Sequence, residues 1–445
     1  MSRQVITPAK RLAGELRVPG DKSISHRALL ISAVGEGPCL ISGSSAGEDV
    51  EATRGAIETL GVVISHSYPH PKGEAASGRE LDREILVEGR GWEGLAPSPD
   101  VIFCQNSGTT ARTLLGVLAG RPFEARLDGD ASLRRRPMAR VIEPLRSMGA
   151  AFEAEADEDR LPLRIVGGAL TGIDHRSLVA SAQVKTAVLL AGLQAGGRTS
   201  FAEPARSRDH TERLLEYLKV PIARETDRLI VKSTNIRNPS SLSVPGDLSS
   251  AAFLLVAAAI LPGSEVTVRG VGLNPTRTGI LDALRRFGAE VRIDPAPDES
   301  GEPLGDVTVK ARDRLPVRVD GAEVVRTIDE LPLIAVLGAF AEGETVIADA
   351  AELRIKESDR ISALAAGLRT LGVDVRTAPD GMTVSGPATI PGGATVDAAG
   401  DHRIAMALAV AALAGGGDPT LVEGWESVGV SYPGFASALQ ALVEP

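Results

Sequence analysis

The residues of this chain best suited to chemistry are cations set where helices should begin. Lys22 and Arg27 stand in VPGDKSISHR, Arg112 in NSGTTAR, Lys185 in SAQVKTA and Arg403 in GDHRIAMA. Each polar cluster leads into an Ala/Leu-rich run. Further basic groups lie just beyond such runs: Arg134, Arg135 and Arg136 before Pro137, Arg208 in RDHTE, and Lys356 with Arg360 in RIKESDR. A helix N-terminus presents unpaired N–H groups and the positive end of the helix dipole, so it attracts anions. Guanidinium groups match the forks of carboxylate and phosphate, and ammonium supplies a point charge. The whole chain carries a net charge of −10. Cations placed locally in an acidic protein point to capture of small anions, and the overall charge argues against a nucleic-acid or anionic-membrane partner. Two carboxylates stand among these cations. Asp329 lies in TIDELP at a strand end, and Glu357 lies beside Lys356 with Arg360 one helical turn on. A carboxylate among cations stays ionised and can act as a base. The same spacing also suits an N-cap for Asp329 and a first-turn dipole partner for Glu357.

The elements that must position these groups repeat along the chain. A short strand, a polar cluster, an apolar helix, a Gly or Pro turn and a second strand recur six times, starting near Val18, Val101, Leu178, Val244, Ile328 and Gly400. The copies lie roughly 65 to 85 residues apart, too far for the common solenoids. The apolar helix of each unit is expected to be buried on all sides. After each comes an amphipathic helix, as in EATRGAIETLGVVI, ARVIEPLRSMGAAFE, RTGILDALRRFGAEVRI and RISALAAGLRTLGVDVR, with apolar residues at i, i+3, i+4 and i+7. VPGDKS at Val18 and VPGDLSS at Val244 are the nearest pair of copies. They sit half a chain apart, which predicts two domains of three units each.

Composition narrows the reading further. At 445 residues, two domains of roughly 200 residues are expected. Aromatic residues make up only 3% of the chain, so the core must be built from Ala, Val, Leu and Ile. Cys39 and Cys104 form no CxxC pair and stand near no His cluster. They are expected to be reduced core thiols, with neither a disulfide framework nor a metal site. The first residues lack an apolar signal core and no uninterrupted run of 18 apolar residues occurs, so a soluble cytoplasmic protein is expected. The segment SHSYPHPKGEAASG, 65–78, reads as an exposed loop of no assigned function.

VPGDKSISHR, NSGTTAR, RRRPM, SAQVKTA, RDHTE, NPTRTG, IDELP, RIKESDR and GDHRIAMA, in this order, resemble the motifs of the 5-enolpyruvylshikimate-3-phosphate synthase family over nearly the whole chain. The resemblance implies an α/β fold of two similar domains, each of three βαβαββ repeats around buried parallel helices, the inside-out α/β barrel of enolpyruvyl transferases. It also implies domains at 22–243 and at 1–21 plus 244–445, with hinges near Gly20 and Val244. The implied reaction joins phosphoenolpyruvate to the 5-hydroxyl of shikimate 3-phosphate by addition and elimination of phosphate, with no cofactor and no metal. A monomer is expected.

By the same resemblance, Lys22 touches both substrates and assists proton transfer. Ser23, Arg27, Ser181, Gln183, Arg208 and Lys356 are implied contacts of shikimate 3-phosphate. Gly108, Arg136, Arg360 and Arg403 are implied contacts of phosphoenolpyruvate, and Gln183 reaches it as well. Asp329 is implied as the base at the 5-hydroxyl, and Glu357 as the proton-transfer partner at the methylene carbon. Many members carry a lysine just before the C-terminal [ST]-[FY]-P, where this chain has Val430 in SVGVSYP. SAQVK, RDHTE and NPTR together with that change resemble the family's second class. The sister transferase acting on UDP-N-acetylglucosamine usually has Lys-Asn in the first motif and a reactive Cys before Arg-Pro. Here the pair is Lys22-Ser23 and DGDASLRRRPM contains no Cys.

Overall fold

The six apolar runs form six lead helices: Lys22–Val34, Gly108–Leu118, Ala182–Gly192, Leu248–Ile260, Leu331–Phe340 and His402–Leu413. Alanine and leucine are strong helix formers, and the polar residue ahead of most runs caps the first turn. Asp21 accepts from the Ile24 N–H, Ser107 from Thr110, Ser181 from Val184, Asp247 from Ser249 and Asp401 from Arg403. Every residue of Leu248–Ile260 and of Leu331–Phe340 is buried. Each Leu, Ile, Val or Phe so placed contributes about 1.5–3 kcal/mol against the entropy of ordering the chain. Small residues let these helices approach closely. A Cβ on Gly116 would sit 2.3 Å from the Ala187 carbonyl oxygen, so Gly108–Leu118 and Ala182–Gly192 can touch only because position 116 has none.

The structure, a computed structural model, describes residues 2–67, 83–154 and 160–444. Among these, each of the six repeats has its own sheet. In the third, Asp174–Arg176 runs parallel to Arg198–Ala202, which pairs antiparallel with Arg228–Lys232, which in turn pairs with Ala223–Glu225. The amphipathic helices cover the sheets with one face. Gly279–Phe287 buries Ile280, Leu281, Ala283, Leu284 and Phe287, and stops at Gly288, whose φ of 100° is left-handed.

Two sheets are completed by the start of the chain. Arg3–Ile6 pairs antiparallel with Thr420–Glu423 of the sixth sheet, and Ala13–Arg17 runs parallel to Glu265–Gly272 of the fourth. Conversely, Ser241–Ser243 runs parallel to Gly35–Ser42 of the first. The two VPGD segments therefore pass each other in opposite directions. The Asp21 N–H donates to the Pro245 carbonyl at 2.8 Å, and the Asp247 N–H to the Pro19 carbonyl at 2.9 Å. A Cβ on Gly20 would lie 1.7 Å from the Gly43 carbonyl oxygen, so this crossing needs glycine.

Buried apolar side chains gather into two cores. One runs from Ile24 to Val244, the other from Ile6 to Val18 and from Leu248 to Leu442. Cys39 and Cys104 are buried free thiols in the first, and burial pushes the Cys104 thiol up to about 12. Among the described residues no helix is long and apolar enough to cross a membrane. Of the segment read as an exposed loop, residues 65–67 belong to the strand Val63–Ser67, and 68–78 lie outside the described residues.

Candidate active site

The N-termini of five lead helices face one cavity of 440 Å³ between the two cores. All of the site residues implied by the motifs line it: Lys22, Ser23, Arg27, Gly108, Arg136, Ser181, Gln183, Arg208, Asp329, Lys356, Glu357, Arg360 and Arg403. The fourth lead helix, Leu248–Ile260, contributes nothing to the lining. Its cap, Asp247, is turned to Arg277 instead.

Asp329 is the most heavily countered carboxylate. Arg208 Nη2 donates to it at 2.6 Å, Arg360 lies 3.5 Å away, Arg403 3.6 Å and Lys356 4.0 Å. Burial alone would raise its pKa, but Arg403, Arg208 and Lys356 together hold it well below the usual carboxylate range. Asp329 is not a helix cap: Glu330 occupies that position ahead of Leu331–Phe340. Glu357 lies 2.5 Å from Arg360 and 3.6 Å from Arg136. Burial again opposes ionisation, and Arg360 and Arg136 overcome it, so Glu357 also stays well below its ordinary value. It precedes Arg360–Thr370, whose cap is Asp359, so it is not a first-turn residue either.

The cations divide by what holds them. Arg360 is buried and donates its Nε to Asp401 at 2.8 Å, which fixes the plane of its fork. Arg403 donates Nη1 to the Asp329 carbonyl at 3.0 Å. Arg136 donates to Asn106 Oδ1 at 2.6 Å, and Lys22 to Asp49 Oδ2 at 2.7 Å. Arg27 spends much of its guanidinium internally, on Thr211 at 2.7 Å and Thr186 at 2.9 Å. Gln183 accepts from Arg112 at 2.8 Å and donates to Thr109 at 2.9 Å. Ser181 is occupied in part as a helix cap, accepting from the Val184 N–H at 3.4 Å. Burial lowers the Lys356 ammonium, which makes it readier to give up a proton.

Three cations read as anion binders are placed otherwise, Arg135 among them, exposed and outside the cavity. Lys185 is buried, with its ammonium 2.9 Å from both Glu203 and Glu212, because it stands in the stretch 184–192, which is buried throughout. Arg134 pairs with Asp128 outside the cavity. Sequence reasoning also left some groups without a role. Arg112 lines the cavity, and burial together with Arg136 and Arg140 pushes its guanidinium down to about 9. An arriving anion would relieve that repulsion. Asp401 stands directly before His402-Arg403 in a motif already singled out, and its adjacency was the available signal. Asp49 had none, since its partner Lys22 lies 27 residues away. Across the cleft, carboxylates of one side stand against cations of the other, in Arg208 with Asp329 and Arg136 with Glu357.

Residues 6–439 match the family model described as EPSP synthase (3-phosphoshikimate 1-carboxyvinyltransferase). The chain is 46% identical over 437 residues to the 3-phosphoshikimate 1-carboxyvinyltransferase of Desulforudis audaxviator, covering 98% of each chain. It is 45% identical over 439 residues to that of Desulforamulus reducens, covering 99% of each. Among solved structures it resembles EPSP synthase from Acinetobacter baumannii, with a TM-score of 0.85, 37% identity and 99% and 98% of the two chains covered. The enolpyruvyl transferase NikO of Streptomyces tendae shares the fold at a TM-score of 0.78, over 98% of this chain and 96% of that one, with 20% identity. The chain folds as an enolpyruvyl transferase and belongs to the EPSP synthase family.

Proposed function

We propose that this protein transfers the enolpyruvyl group of phosphoenolpyruvate to the 5-hydroxyl of shikimate 3-phosphate and releases phosphate. The observation that carries the reading is Asp329: an ionised carboxylate held among cations of both halves, in a cavity sized for two small anions. Asp329 takes the hydroxyl proton as the oxygen attacks C2 of phosphoenolpyruvate. Lys22 and Glu357 serve the proton that arrives at C3 in the addition and leaves C3 again when the C2–phosphate bond of the tetrahedral adduct breaks. Glu357 is anionic in the free site, so it must first gain that proton. Bound phosphate and carboxylate groups would raise its pKa toward that task. Arg136, Arg360 and Arg403 clamp phosphoenolpyruvate with the backbone at Gly108. Ser23, Arg27, Ser181, Gln183, Arg208 and Lys356 hold shikimate 3-phosphate.

The division at 22–243 and 1–21 plus 244–445 is supported by the two cores and by the paired VPGD segments, although Val244 itself packs in the first core. The second-class reading is supported by Val430. It ends the turn Trp425–Val430, its carbonyl lies against Gly47, and it does not line the cavity. A site complete within one chain supports a monomer. Charged phosphoester substrates, which do not cross membranes unaided, support a cytoplasmic setting. Phosphate release is the test. It should require both substrates, and phosphate formed from phosphoenolpyruvate alone at the same rate would overturn the assignment.

A further inference from the structure

We propose that Arg277 is a positioning residue for this reaction, fixing Lys22 and Asp329 relative to each other from the crossing of the two VPGD segments. The proposal rests on the enolpyruvyl-transfer reading given above. Arg277 is buried in the NPTRTG loop. Its Nη1 donates to Asp21 Oδ2, and its Nη2 donates to Asp247 Oδ1 at 2.8 Å and to Ser249 Oγ at 2.7 Å. Asp21 and Asp247 are the caps of the first and fourth lead helices, and Asp21 directly precedes Lys22. Ser249 Oγ donates to Glu330 Oε1, and Glu330 directly follows Asp329. One guanidinium therefore connects the neighbour of one candidate catalytic group to the neighbour of another, across the two halves.

The same loop makes a second crossing. Asn274 Nδ2 donates to Asp209 Oδ1 at 2.7 Å and to Glu302 Oε2 at 2.9 Å. Asp209 directly follows Arg208, which reaches both Ser23 and Asp329. The loop is thus braced beside Lys22 and beside Arg208 at once. Two of its partners, Asp21 and Asp247, belong to the paired crossing segments themselves. A buried ion network of this kind contributes little net stability compared with well-packed apolar side chains. Its contribution here is geometry. A displacement of about 1 Å between reacting groups can lower turnover by about 10²-fold.

Three variants test this, with phosphate release for kcat, titration for shikimate 3-phosphate affinity and thermal melting for folding. Arg277→Lys keeps the charge and loses the fork. Arg277→Met combined with Asp247→Asn also removes one of the two carboxylates left unpaired. Both should lose kcat by about 10²-fold while the dissociation constant for shikimate 3-phosphate stays within about threefold. Ser249→Ala, which cuts the link to Glu330, should move kcat in the same direction. A kcat loss merely proportional to the fraction of unfolded protein overturns the proposal. So does wild-type kcat in a variant that melts normally, or a loss confined to substrate affinity. Failure of the wild-type protein to release phosphate from the two substrates would sink the enolpyruvyl-transfer reading instead.

Discussion

Removing the Asp329 carboxylate takes away the proposed base and also the partner of Arg208, Arg360 and Arg403. Asp329→Ala should therefore lose turnover by about 10²–10⁴-fold, while shikimate 3-phosphate binds as well as before or more tightly, because the freed cations face an anion. Glu357→Gln should lose turnover similarly and keep affinity. Titration beside a phosphate-release assay separates the two effects, and near wild-type turnover in either variant would remove that residue from the chemistry. Gly108 allows a second test. A Cβ there would lie 2.8 Å from Arg112 Nη1 and 3.2 Å from Arg136 Nη1. Gly108→Ala should thus push on two guanidinium groups of the cavity. Glyphosate, a zwitterion with a phosphonate and a carboxylate, should compete with phosphoenolpyruvate, and the added methyl should weaken the longer inhibitor by about tenfold. It should also raise the KM for phosphoenolpyruvate by less. An inhibition series at several donor concentrations checks both, and an Ala variant as sensitive as its parent would contradict the expectation. The site residues implied by the motifs were legible because each sits in a polar cluster beside one of the apolar runs. Asp49 and Arg277 were not, because what defines them is a partner far away in the chain. Lys185 misled for the opposite reason: its motif placed it at a helix start, yet its side chain turns inward to Glu203 and Glu212.

The lead helices were readable as elements from their apolar runs, and their burial has a cost that pH reveals. His26 lies in Lys22–Val34 and His402 opens His402–Leu413. Burial lowers both well below the ordinary histidine range, helped by Lys22 and Arg27 at His26 and by Lys22 and Arg403 at His402. Each is neutral in the folded chain, with Nε2 unpaired. The unfolded chain binds more protons than the folded one below the ordinary value of 6.5. Stability from these two residues is thus fully present above about pH 6.5 and declines as pH falls toward their folded values. Melting temperature followed from about pH 8 down to about pH 5 should show this fall. His26→Leu, which removes one titrating group away from the cavity, should flatten it, and an unchanged slope would exclude His26 as a source. The strand pairings were less legible than the helices. No local pattern tells that Ala13–Arg17 joins the fourth sheet, or that Ser241–Ser243 joins the first, since such pairings depend on where the chain crosses.

At the scale of the whole molecule, the six-fold repetition and the resemblance of VPGDKS to VPGDLSS predicted two halves of three units, and two cores accompany them. The sequence did not disclose how the halves meet. Arg208 with Asp329, Arg136 with Glu357 and Arg140 with Glu352 pair across the cleft at 2.6, 3.6 and 3.2 Å. Arg140 and Glu352 are partly exposed, and such pairs contribute only about 0–1 kcal/mol each. Arg208 with Asp329 and Arg136 with Glu357 are mostly buried, so closure rests on these two pairs more than on the exposed one. Without ligand the halves should open and reclose about the paired VPGD segments. Shikimate 3-phosphate, bringing charge that cations of both halves can share, should favour the closed form. Small-angle scattering should show a smaller radius of gyration on adding it. Raising salt should enlarge the ligand-free protein, because screening weakens the cross-cleft pairs first. Asp329→Ala should be more open still without ligand, since Arg208 of one half then loses its carboxylate partner on the other. A radius of gyration unmoved by shikimate 3-phosphate, by salt and by this substitution would mean that the halves form one rigid body, with the cleft set by the fold rather than by its charges.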